Sequence, residues 1–254
     1  MEPVLKVENL TKVFARKGQA ELTAVDHIGF ALYPGECLGL IGESGSGKTT
    51  VANLITRLLE STEGRIVLDG EDITRLGGKA LRGAYRKMQM VFQTPAESFD
   101  PRRTLGDGIG ESLRNLGLSR AETRLNVERL LTECGLAPEF ARRYPHQVSG
   151  GQCQRAAIAR ALAVKPKLLI CDEATSSLDV TIQQEIIELL NELRRQRGRE
   201  LSILFICHDI ALVQQFCNRV LVLYKGKIVE EGKPDDIIRN PQHEYTKRLI
   251  ESIL

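Results

Sequence analysis

Apolar positions along this chain follow two rhythms, and the rhythm changes twice. In the first third, short alternating or continuous apolar segments at 5–7, 24–32, 37–41, 64–69 and 88–92 predict strands, with Pro34-Gly35 marking a turn before the third. Between them, Val51, Leu54, Ile55 and Leu58 have the spacing of a helix over 49–59, directly after the richest glycine cluster, residues 42–47. The middle of the chain differs. Ser119-Arg120-Ala121-Glu122 has the spacing of a capping box, in which serine and glutamate each satisfy a free N–H at a helix start. Val127, Leu130, Leu131 and Cys134 follow at helical intervals and Gly135 supplies a stop, so residues 94–164 are expected to be a helical insertion between strands. After Pro166, continuous apolar runs return at 168–171, 203–207 and 220–224, as in strands buried on both faces of a parallel sheet. A helix with Ile182, Ile186, Leu189, Leu190 and Leu193 on one face separates the first two, and 224–227 turns the last into a hairpin with 228–231. The pattern is an α/β core carrying an α-helical insertion.

Composition narrows the class. The 254 residues carry 35 basic and 33 acidic side chains, a net charge of +2 without the signature of a nucleic-acid binder. No apolar run approaches the ~18 residues of a membrane helix, and the first nine residues lack the apolar core of a secretory signal, so a soluble cytosolic chain is expected. The six cysteines, at 37, 134, 153, 171, 207 and 217, have no zinc-ribbon or redox spacing, and the four histidines are dispersed. Reduced thiols acting as small buried hydrophobes are expected.

Gly42-Glu43-Ser44-Gly45-Ser46-Gly47-Lys48-Thr49 matches G-x-x-x-x-G-K-[ST], the phosphate-binding loop, between a predicted strand and a predicted helix. Its glycines let backbone N–H groups converge on phosphates, and the following helix points its positive end there. Lys48 is expected to reach the β- and γ-phosphates, and the Thr49 hydroxyl to coordinate Mg²⁺. The apolar run 168–171 ends in Asp172 and Glu173. A parallel strand delivers side chains to ligand at its C-terminal end, where Asp172 is placed to hold Mg²⁺ and Glu173 to accept a proton from attacking water. Gln93 and His208 end two other apolar strands in the same way. Val148-Ser149-Gly150-Gly151-Gln152 is a second glycine-rich turn, expected just before a helix over 153–164. One phosphate-binding loop needs only one such turn, whereas head-to-tail pairing of two subunits sets this turn against the nucleotide of the other.

With these motifs in hand, the chain resembles the ATP-binding subunit of an ABC transporter over essentially its whole length. The resemblance is carried by GESGSGKTT (42–50), MVFQ (90–93), VSGGQ (148–152), LLICDE (168–173), SSLD (176–179) and FICHD (205–209), in that order. It implies a P-loop NTPase core with a mixed, mainly parallel sheet, an N-terminal antiparallel β subdomain and an inserted α-helical subdomain. It also implies a single ATP-binding domain over 1–254, with 1–93 and 165–254 as the core and 94–164 as the helical part bearing the signature. By the same resemblance Phe14 stacks on adenine, and residues 42–50, Thr50 included, hold ATP. Gln93 joins Thr49 and Asp172 on Mg²⁺, and Glu173, His208, Lys48 and Gln93 serve catalysis. Ser149, Gly150, Gly151, Gln152 and Asp179 act across the dimer. Val148 stands where the signature most often has leucine, an apolar replacement expected to preserve ATPase competence.

Four segments, 24–50, ESFDPRRT (97–104), RYPHQVSGGQCQR (143–155) and NPQHEYTKRLI (240–250), are similar to the oligopeptide, dipeptide and nickel importers, and to the shorter of their two ATPase subunits. Asp100 stands where asparagine is expected. The implied partners are a second ATP-binding subunit, as a heterodimer or homodimer, two permease subunits and, indirectly, an extracytoplasmic binding protein. The implied place is the cytoplasmic face of a prokaryotic inner membrane, as a peripheral subunit. Permease docking is expected near 93–103, with Phe92, Phe99 and Pro101 offering apolar contact, or with the aromatics equally placed in the core. No C-terminal cysteine cluster is present, so no iron–sulfur cluster is expected, and no nucleic acid either. The transported solute is expected to be a peptide, with nickel or a metal chelate as the alternative. A soluble ABC ATPase acting on nucleic acid or ribosomes, and a small P-loop kinase, are the readings of other classes. The first lacks a basic stripe here, and the second has no use for VSGGQ.

Overall fold

The computed structural model describes residues 1–15, 21–176 and 178–251, apart from the side chain of Glu97. β1 (Leu5–Phe14), β2 (Leu22–Leu32), β4 (Glu63–Leu68) and β5 (Glu71–Asp72) form an antiparallel sheet in the order β2-β1-β4-β5. β3 (Cys37–Ile41), β6 (Met88–Val91), β7 (Leu168–Asp172), β8 (Ser202–Ile206), β9 (Arg219–Tyr224) and β10 (Lys227–Gly232) form a second sheet in the order β10-β9-β3-β8-β7-β6. Its pairings are parallel except for the β9–β10 hairpin at one edge.

Every residue of β3, β7 and β8 is buried, because both faces of the parallel sheet are covered. The period-two alternation deals their side chains into two cores. Leu168, Ile170, Leu204 and Ile206 face the antiparallel sheet and α1 (Lys48–Ile55), whereas Leu169, Cys171, Ile203 and Phe205 face the remaining large helices. Between β6 and β7 lie α3 (Leu105–Asn115), α4 (Arg120–Glu133) and α5 (Gly150–Leu162). The capping box expected at Ser119 is present, with Ser119 N–H donating to Glu122 Oε2 at 2.8 Å and Glu122 N–H to Ser119 Oγ at 3.3 Å. α6 (Val180–Arg197) buries Ile186, Leu190 and Leu193 as expected, together with Ile187. Among the described residues no helix is long and apolar enough to cross a membrane.

Several elements depart from the sequence pattern. The strand expected at 5–7 continues to Phe14, because a bulge around Asn9 (φ 47°) resets its alternation in mid-strand. α1 stops at Ile55 rather than 59. Arg57 adopts φ 59°, which ends the helix and turns Leu58 outward to 60% exposure. α2 (Gly78–Lys87), α7 (Ile210–Phe216), α8 (Pro234–Arg239) and α9 (Glu244–Glu251) are helices that periodicity did not isolate. Each is short or mostly exposed, so few apolar positions mark it; α2 buries Ala84 alone among its ten residues.

Candidate functional site

β3 runs straight into the glycine-rich loop. Gly42 has φ 154° and Gly47 φ 111°, and a Cβ on either would lie 2.3 Å from Leu223 O or 2.5 Å from Ala24 O. Backbone from β9 and β2 therefore clamps the loop at both ends, and only glycine fits there. Its crest is open: nothing lies within 4 Å of a Cβ built on Gly45. α1 begins at Lys48 without a side-chain cap, whereas α3, α4, α5, α6 and α7 are capped by Thr104, Ser119, Ser149, Asp179 and Asp209. A helix start left uncapped beneath a loop of exposed residues has the donor chemistry for an anion.

Lys48 is 5% exposed, and its Nζ donates to Gly42 O at 2.7 Å and Glu43 O at 3.0 Å. Burial lowers its pKa, opposed by the nearby charges of Glu173 and Asp172. Its present partners are backbone carbonyls of its own loop, so turning toward a phosphate breaks no ion pair.

Parallel register assembles the rest. Leu40 pairs with Ile206 and Ile206 with Asp172, while Val91 pairs with Cys171. The residues just past these positions, Gly42, His208, Glu173 and Gln93, therefore emerge along one edge of the sheet. Asp172 is 6% exposed, with Oδ1 3.5 Å from Thr49 Oγ1. Burial, and secondarily the charge of Glu173, pushes its carboxyl up to about 6. A buried carboxylate beside a hydroxyl, with no direct ion-pair partner among the described residues, fits a divalent cation. Glu173 leaves the strand at φ 48°, anchored by its N–H on Ile206 O at 2.9 Å. Its Oε1 lies 4.0 Å from Nδ1 of the exposed His208. Gln93 is exposed just beyond β6.

The second glycine turn lies elsewhere, and it differs from expectation. α5 starts at Gly150, not 153, so Gly150, Gly151 and Gln152 form its first turn. Ser149 caps it, accepting from Gln152 N–H at 3.3 Å, while Gln152 Oε1 accepts from Ser149 N–H at 3.0 Å. A Cβ on Gly150 would lie 3.4 Å from Leu178, and one on Gly151 would meet Ile182 at 2.6 Å. This turn is thus stacked on the start of α6, whose cap is Asp179, accepting from Ile182 N–H at 3.0 Å. Ser177, in the same segment, lies outside the described residues.

Residues 25–176 match the family described as ABC transporter. The chain belongs to that family. The glutathione import ATP-binding protein GsiA of Pectobacterium atrosepticum is 46% identical to it over 259 residues, and that of Escherichia coli K12 is 47% identical. Both alignments cover 99% of this chain and 41% of the relative, so the chain spans about two-fifths of the length of these relatives. The ATP-binding cassette MJ0796, solved as a dimer in a post-hydrolysis state with ADP and Pi, superposes with a TM-score of 0.82 at 31% identity, covering 91% of this chain and 98% of that one. CbiO1 from Clostridium perfringens, part of the ABC transporter complex cbiONQ, gives 0.83 at 28% identity, covering 94% and 92%.

On this ABC cassette, Phe14 is half-buried at the end of β1, paired with Leu22, and Lys12 Nζ stands 5.2 Å from its ring centroid. Of the two readings of Phe99, permease contact or core, the structure takes the core one: the residue is 6% exposed. It is wedged between Gly108 and Arg160, whose guanidinium carbon is 4.9 Å from the ring centroid. Phe92, at 38%, and Pro101 remain exposed. A groove of about 410 Å³ opens between the parallel sheet and the inserted helices, lined by Leu58, Tyr85, Met90, Phe92, Asp100 and Arg103 among others. Asp100 closes a turn at its rim, accepting from Arg102 N–H at 3.0 Å. Asparagine could accept the same bond, and the carboxylate adds an ion pair with Arg102. Sequence reasoning missed Leu58 as a groove residue because its helical spacing signals core, and Tyr85 because it lies on α2, which periodicity did not isolate.

Proposed function

We propose that this chain is the ATP-hydrolysing motor of an ABC importer. One observation carries the reading: Lys48, Thr49, Asp172, Glu173 and His208 converge at the C-terminal edge of one parallel sheet, beside an uncapped helix start. The loop 42–50 would bind the triphosphate of ATP, with the Lys48 ammonium leaving Gly42 O and Glu43 O for the phosphate oxygens. Thr49, Asp172 and Gln93 would hold Mg²⁺, which supplies neutralisation of phosphate charge when bound. Glu173 takes the proton of the attacking water, and the adjacent His208 orients on the γ-phosphate. Phe14 would stack on adenine.

Ser149, Gly150, Gly151, Gln152 and Asp179 belong to the site of a second ATP-binding subunit in this reading. Their cluster is built on α5 and α6 rather than around the loop of their own chain, which favours a head-to-tail dimer. The groove above 93–103 would seat a permease segment, holding the chain peripherally on the cytoplasmic face of the membrane. Residues 94–164 act as the helical part of the single cassette. The relatives named for glutathione import favour a peptide-sized solute over nickel. Co-expression with permease subunits of a peptide importer tests the whole: the chain should sediment with membranes only in their presence and hydrolyse ATP there. Recovery on ribosomes would defeat the transport reading. Leu58→Asp should release the chain from those membranes.

A further inference from the structure

The fold gives the segment NPQHEYTKRLI (240–250) a physical task. Glu230 on β10 accepts from Gln242 N–H at 2.8 Å and His243 N–H at 3.0 Å, fixing the chain before α9. His243 Nδ1 then accepts from Tyr245 N–H at 3.1 Å and caps the helix. Tyr245 is driven inward to 2% exposure and stacks on Tyr224, with ring centroids 4.0 Å apart. Its hydroxyl accepts from the N–H of Glu43, in the phosphate-binding loop, at 2.8 Å.

The peptide groups of Glu43 are therefore held from two sides, the N–H by Tyr245 and the carbonyl by Lys48. The two holds differ in permanence. Lys48 must leave Gly42 O and Glu43 O to meet a phosphate, whereas Tyr245 is held by its stack on Tyr224 and can stay. The other limb is held similarly, by Gly226 N–H on Ser46 O at 2.9 Å, from the turn that follows Tyr224. We propose that Tyr245 is a positioning residue, a C-terminal strut that keeps the Gly42–Glu43 limb in its phosphate-ready shape when Lys48 turns to the nucleotide. The inference rests on the reading that this loop binds ATP.

The test is Tyr245→Phe in the full chain, which keeps the ring and its stack and removes the accepting oxygen. ATP should bind about 5- to 10-fold more weakly, the worth of one hydrogen bond. KM for ATP should rise equally, with kcat at saturation within about twofold, because the bond acts on loop shape and not on Glu173. Ile250→Val, which removes a buried methyl from α9 and leaves the hydroxyl, controls for general loosening and should leave KM unchanged. Unchanged ATP affinity in Tyr245→Phe, or an equal loss in Ile250→Val, would overturn the inference. Failure of the unmodified chain to bind ATP would instead overturn the nucleotide reading on which it rests.

Discussion

The hydroxyl of Thr49 and the carboxylate of Asp172 meet at 3.5 Å, although 123 positions separate them in sequence. One comes from the first turn of α1 and the other from the last residue of β7. Their contact joins the phosphate-binding loop to the acidic strand end, and their separate environments make separable predictions.

Burial raises the Asp172 carboxyl to about 6, above its ordinary value of 3.8, so the native state prefers this group neutral. The sign follows from linkage. Below pH ~4 the group is protonated in both native and unfolded chains and contributes no penalty. As pH rises through the window from about 4 to 6, ionisation increasingly costs the native state, by roughly 3 kcal/mol at most above it. Asp172→Asn should therefore raise the nucleotide-free Tm at pH 8 and lose that advantage near pH 4, while weakening Mg²⁺-dependent ATP binding. Thermal unfolding at the two pH values checks it.

Glu173→Gln keeps the shape of the strand end and removes the proton acceptor. ATP binding should be unchanged and turnover should fall at least about 100-fold, the usual contribution of a general base. Equilibrium binding and steady-state hydrolysis on the same preparation separate the two effects. A mutant that turned over at the normal rate would remove Glu173 from the role proposed for it.

Glycines of the loop should not be equivalent. Gly47→Ala forces a Cβ against Ala24 O at φ 111°, where backbone cannot give way, so a loss above about 2 kcal/mol and of ATP binding is expected. Gly45→Ala meets open space at φ 80° and should cost only about 1 kcal/mol. Chemical denaturation of the two variants gives the comparison.

Thiol chemistry should follow burial. Cys134, Cys171 and Cys207 are pushed up to about 12 by burial, and Cys153 to about 11. Native protein at pH 8 should leave these four unalkylated by iodoacetamide, with the partly exposed Cys217 reacting first. All six should react in denaturant, as mass spectrometry of the labelled protein can count.

The strands that deliver the site were legible because burial on both faces writes itself as an unbroken apolar run, as in β3, β7 and β8. Leu58 and Phe99 were not legible. Both are apolar residues near an element boundary, and whether such a residue lies in core or groove depends on what packs across from it. The outward turn at Arg57 exposes Leu58, and the space left by Gly108 admits Phe99. The start of α5 was displaced because glycines read as a turn, although Ser149 and Gln152 already formed a capping box at Gly150.

The sequence by itself determined the chemistry and its order along the chain: the glycine loop with Lys48 and Thr49, the carboxylates ending one strand, the polar residues ending two others, and the second glycine turn. Local rules suffice for these, since a loop conformation, a helix cap and a buried strand are each specified within about ten residues. Only the tertiary structure decided which of these groups meet. Parallel register brought Asp172 to Thr49 and Glu173 to His208, and the tertiary packing set Gly151 against Ile182 of α6. It also carried Tyr245 back across 202 positions to the N–H of Glu43. Such meetings depend on long-range packing of two cores, and no short stretch of sequence encodes them.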